Sequence, residues 1–169
     1  MALFRETADV SVRPAVEGDD VAITAIQVEA WRTAHTDVLR DDVLDSLDTD
    51  RMRAQWSTAI TAPPGPGFAV LVALAGPQIV GFAAVGPGQL VALEVSPGHQ
   101  RSGHGSRLLS AAVDRLRQDG AEQLTAWVLD GDDARAQFLS GAGLGPDGTE
   151  RSLATGVRDV VERRWYAQI

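Results

Sequence analysis

Apolar positions along the chain repeat at two periods, and the change from one to the other predicts the order of elements. Val10 to Arg13 reads as a short strand closed by Pro14. From Asp19, a candidate cap, Val21, Ile23, Ile26, Ala30 and Trp31 recur at helical spacing. A second helical stretch runs from about Asp41 to Ile60, interrupted near Asp48, with Val43, Leu44, Leu47, Met52 and Trp56 on its apolar side. The run Ala62-Pro-Pro-Gly-Pro-Gly67 admits neither helix nor strand. Beyond it, Phe68–Ala75, Ile79–Val85 and Gln89–Val95 read as three strands of an antiparallel meander, the first two joined at Gly76-Pro77. A helix carrying Leu108, Leu109, Ala112, Val113 and Leu116 then stops at Gly120. Gln123–Leu129 reads as a strand, Asp132–Ser140 as a short helix, and Thr149–Thr155 and Arg158–Ala167 as closing strands. Strand, helix and strand from residue 89 to 129 make a βαβ unit inside an otherwise antiparallel, hence mixed, sheet.

Length and charge narrow what such a chain does. At 169 residues it forms one domain, residues 1–169, with a full core. A net charge of −8 argues against nucleic acid as a partner. The absence of any run of about 18 apolar residues argues against a membrane, and the chain reads as cytoplasmic. All fifteen basic residues are arginine and cysteine is absent. That excludes a Schiff-base lysine, a Walker-type phosphate lysine, a thiol nucleophile and disulfides. Three scattered histidines offer no metal site.

The candidate chemistry is concentrated between Val95 and Leu109, where the meander ends in a basic, glycine-spaced loop that opens into the helix. Gly103 and Gly105 let backbone N–H groups converge, the helix N-terminus adds partial positive charge, and Arg101 and Arg107 add full charges. A phosphate-bearing ligand fits such a loop. The dinucleotide fingerprint GxGxxG is not met, because its third glycine falls on Leu108.

The pattern Gln100-Arg-Ser-Gly-His-Gly105, preceded by a strand ending in Val-Ser-Pro, instead resembles the Q/RxxGxG/A signature of the GNAT superfamily of N-acetyltransferases. Ala30-Trp31-Arg32, the meander, and Trp127-Val-Leu129 followed by Phe138 and Gly143 are similar in the same order, over about residues 10 to 167. The resemblance implies an α+β GNAT fold, a mixed and mostly antiparallel sheet flanked by helices, with the cofactor loop on the central βαβ unit. It further implies acetyl-CoA as co-substrate, a small-molecule or peptide amine as acceptor, and a possible homodimer. Leu93 and Val95 would contact the pantetheine arm. Gln100, Arg101, Ser102, Gly103, His104, Gly105 and Ser106 would hold the phosphates, and Asp132 and Phe138 would complete the cofactor site. Trp31, His35 and Gln89 would border the acceptor.

Acetyl transfer requires a neutral amine, a stabilised oxyanion and a proton for the leaving thiolate. A backbone N–H of the cofactor-facing strand, that of Val95, would serve the second requirement. For the first, Gln89 stands where many family members carry glutamate, so Glu94 and Glu29 are the candidate bases. Residues 89 and 94 of a regular strand point to opposite faces, and Glu94 replaces Gln89 only if a bulge intervenes or if water relays the proton. For the third, the family's Phe-Tyr pair is Phe138-Leu139 here, and Asp132 replaces its usual asparagine. Three readings follow: an N-acetyltransferase, a GNAT-fold protein that keeps the cofactor without turnover, or a domain with no ligand.

Overall fold

In the computed structural model, the described residues are 10–34, 40–156 and 158–169. Seven strands form one sheet in the order β1-β2-β3-β4-β5-β7-β6. In chain order these are β1 (Val10–Pro14), β2 (Ala69–Ala75), β3 (Gln78–Gly86), β4 (Gln89–Val95), β5 (Gln123–Leu129), β6 (Gly145–Ala154) and β7 (Asp159–Gln168). The helices are α1 (Asp20–Ala34), α2 (Asp41–Asp45), α3 (Thr49–Thr61), α4 (His104–Gln118) and α5 (Asp133–Gly141). The expected meander is present, and β1 extends it at the edge. Among the described residues only β4 and β5 run parallel.

The centre of the sheet is buried on both faces, while β6 at its edge is mostly exposed. Leu108, Leu109, Ala112 and Leu116 of α4 and Leu139 of α5 pack with Leu71, Ala83, Val85, Leu90, Leu93 and Leu124 on one side. Ile23 and Ile26 of α1 pack with Val70, Val72, Phe82 and Ala84 on the other. There Trp56 of α3 meets Phe82 edge-on, with ring centroids 5.0 Å apart, and its indole N–H donates to Gln27 Oε1 at 2.8 Å. Both β3 faces are therefore apolar, which is why its burial runs without alternation from Val80 to Gly86. A third cluster joins Val43 and Leu44 of α2 to Val160 of β7, with Trp31, Leu47 and Leu129 against it.

Two expectations shift in detail. Asp19 precedes α1 as expected, but its carboxylate turns back to accept from the Val16 N–H at 2.8 Å and from Arg13 at 2.7 Å. The break near Asp48 is a true helix start, since the Asp48 carboxylate accepts from the Arg51 N–H at 2.9 Å. The stop at Gly120 is a Schellman turn. Gly120 has φ 85°, its N–H reaches the Arg117 carbonyl, and the Ala121 N–H reaches that of Leu116.

Candidate functional site

The site begins with a failure of pairing. β4 and β5 pair only at Gln89 with Thr125 and Leu90 with Ala126, and beyond these residues their facing edges diverge. Just there β4 carries a bulge. Ala84 pairs with Ala92 and Val85 with Leu90, so Val91 has no partner in β3 and is pushed out, 57% exposed. The bulge reverses the parity of the strand. Gln89 lies opposite Gly86 and Glu94 opposite Phe82, two β3 residues of one face, so Gln89 and Glu94 share a face despite their odd spacing.

Backbone direction at the end of β4 follows from one hydrogen bond. The Ser96 N–H donates to the Val80 carbonyl of β3 at 2.8 Å. Strand amides alternate, so the Val95 N–H and carbonyl point the other way, into the fork between β4 and β5. The Gln100 side chain donates to that carbonyl at 3.2 Å and ties the following loop to the strand end.

A short 3-10 turn, Pro97–His99, leads into that loop, and Gly103, at φ 86°, caps α4 from the left-handed region. Glycine reaches this conformation without a Cβ clash, and it supplies no side chain to cap the helix. The Arg107 N–H bonds the Gly103 carbonyl at 3.1 Å, which leaves those of His104, Gly105 and Ser106 with no intrahelical acceptor. They form an anion-binding end, flanked by exposed Arg101 and Arg107. His104 is 3% exposed, its Nδ1 lacks a partner, and its ring lies 6.3 Å from that of His99. Burial first, then His99 and Arg107, lower its pKa. Phe138 of α5 packs against the start of α4, within ordinary contact distance of the position a Cβ on Gly105 would take.

A cleft of about 480 Å³ opens beside the fork. Trp31, Leu93, Glu94 and Asp132 line it, together with Arg135, Trp127 and the third apolar cluster. Glu94 is held there by Arg135, Oε1 to Nη2 at 2.9 Å, with side chains 13% and 20% exposed. Sequence reasoning missed Arg135, which lies 41 positions from its partner. Asp132 accepts from the Arg135 N–H at 3.0 Å and so caps α5. Glu29 and Gln89 are not among the lining residues. Glu29 is exposed and accepts from Ser96 Oγ at 3.2 Å, beyond the end of β4. His35 lies outside the described residues. Leu139 is core, 1% exposed, and Tyr166 sits in β7 opposite Thr125, away from the cleft lining. Among the described residues no group of three His, Asp or Glu side chains could hold a metal ion, and no helix is long and apolar enough to cross a membrane.

An anion-binding helix end beside two strand edges left open for hydrogen bonding suits a long ligand with phosphates at one end and amides along its length. Comparison with known proteins identifies the fold and the family. A Bacillus subtilis relative, the uncharacterized N-acetyltransferase YuaI, is 28% identical over 130 residues, covering 72% of each chain. The PaiA N-acetyltransferase of Thermoplasma acidophilum, solved with coenzyme A, superposes with TM-score 0.81 at 14% identity, covering 95% of this chain and 99% of its own. YncA of Salmonella typhimurium, a putative acetyltransferase solved with acetyl-CoA, gives 0.70 at 24%, covering 94% and 93%. Residues 23–143 match the acetyltransferase (GNAT) family, and the chain belongs to that family.

Proposed function

We propose that the chain moves an acetyl group from acetyl-CoA to a primary amine by direct transfer in a ternary complex. The observation that carries this reading is the fork: a parallel strand pair that stops at Leu90 and Ala126, next to the uncapped start of α4. The residues present fit the co-substrate. The N–H groups at the start of α4 and Arg101 would hold its pyrophosphate, and its amide arm would lie along the open edge of β4 at Leu93 and Val95. When bound, acetyl-CoA supplies an acetyl group activated as a thioester.

The chain's own groups then have distinct tasks. The Val95 N–H, aimed into the fork, stabilises negative charge on the carbonyl oxygen. Glu94, turned to the cleft face by the bulge, takes the proton that the acceptor ammonium gives up. A C–N bond forms, the C–S bond breaks, and solvent protonates the thiolate, because the family's usual tyrosine is the buried Leu139. Holding both reactants in the cleft supplies much of the acceleration, since orientation is worth about 7–11 kcal/mol in favourable cases.

Leu139 also favours a second reading, a protein that binds acetyl-CoA without turnover. Thiol release from acetyl-CoA, followed with a set of primary amines, separates the two. Release that depends on the amine supports transfer; saturable binding without release supports the second reading.

A further inference from the structure

We infer that the acceptor is a small monoamine with an apolar, aromatic-sized body and no free carboxylate, a class that rests on the transfer reading above. The shape of the cleft argues for the body. Trp31, Leu44 and Val160 come from three separate elements to form one apolar wall, and Trp127 stands beside it on β5 with the Arg151 guanidinium over its ring, 4.1 Å from the centroid. Exposed Val91, displaced by the bulge, adds apolar surface at the lining where the fork begins. A second ammonium placed on the wall of Trp31, Leu44 and Val160, away from the carboxylates of the cleft, would lose its hydration without a partner.

The charges argue for the head group. Four carboxylates line the cleft, those of Asp48, Glu94, Asp132 and Glu162, against one guanidinium, that of Arg135. Glu162 accepts from Arg151 Nε at 2.6 Å, and the balance stays negative with that partner counted. An acceptor carboxylate would find Arg135 as its one cation among the described lining residues, and Arg135 is already bound to Glu94 at 2.9 Å in a mostly buried pair. Seating that carboxylate would break the pair and strand Glu94. A cationic head on an apolar stem meets neither cost.

The reaction is balanced as a protonated amine plus acetyl-CoA giving the N-acetyl amine, free coenzyme A thiol and one proton. The test uses the full chain with acetyl-CoA and four acceptors: 2-phenylethylamine, phenylalanine, spermidine, and an alanine peptide with a free amino terminus. The kcat/KM for 2-phenylethylamine should exceed each of the others by about tenfold or more. Trp31→Ala should raise the KM for 2-phenylethylamine several-fold while the acetyl-CoA Kd, read by calorimetry, stays the same. A preference for phenylalanine, spermidine or the peptide, with thiol still released, overturns the inference and leaves transfer standing. No thiol release with any of the four overturns both.

Discussion

Glu94 and His104 set the chemistry of single residues. Glu94 is placed in the cleft by a bulge and held by Arg135, so its carboxylate is fixed where the proposed acceptor ammonium would arrive. Glu94→Gln should lower kcat by about 100-fold or more while leaving the acetyl-CoA Kd within a factor of two or three, read by steady-state kinetics and calorimetry. His104 behaves differently. Its charged form is disfavoured in the fold, so its folded pKa lies below the unfolded value of 6.5. Its contribution to stability is complete above that value and is lost as pH falls toward the folded pKa. Urea midpoints should therefore drop from pH 7.5 to pH 5.5 by more in the natural chain than in His104→Leu; equal drops would remove His104 as a cause. The loop residues were legible because glycine spacing and arginine charge are sequence features. Glu94's orientation was legible only as a condition, since no residue type marks the Val91 bulge. Arg135 left no signal, because an arginine on a helix looks the same whether it faces solvent or a carboxylate from a distant strand.

At the scale of elements, α4 has two jobs that mutations should separate. Its apolar stripe anchors the sheet, and Leu116, fully buried, should cost about 2–5 kcal/mol when replaced by alanine, with the acetyl-CoA Kd retained. Its N-terminus should bind the donor. Asp132 allows a finer test on α5, where its carboxylate caps the helix and adds negative charge to the cleft. Asp132→Asn keeps a capping oxygen and removes the charge, so it should hold thermal stability and tighten acetyl-CoA binding, whereas Asp132→Ala should cost about 1 kcal/mol of stability. Element bounds were readable where punctuation was strong: β4 and β5 have the expected ends, with Pro97 following the first and Gly120 preceding the second. β6 begins earlier than the pattern suggested, at Gly145, because its Gly-Pro-Asp-Gly start resembles a loop and passes through an irregular register between Pro146 and Glu150.

For the whole molecule, the decisive feature is where the sheet changes direction. Of the six neighbouring strand pairs five are antiparallel and one, β4 with β5, is parallel, and that pair opens after two residue pairs, on the way to the loop that leads into α4. Sequence order predicted the βαβ unit, but neither the opening of the fork nor the insertion of β7 between β5 and β6 has a local signature. Both depend on which distant backbones compete for the same edge. The fork makes a joint claim about strands and helix end, namely that one acetyl-CoA molecule spans them. Calorimetric titration of acetyl-CoA into the full chain tests this most directly. The expected result is saturable heat at one molecule per chain, lost or greatly weakened by replacing Gly103 with valine, whose side chain is strained at φ 86°. No heat from the natural chain would contradict the account.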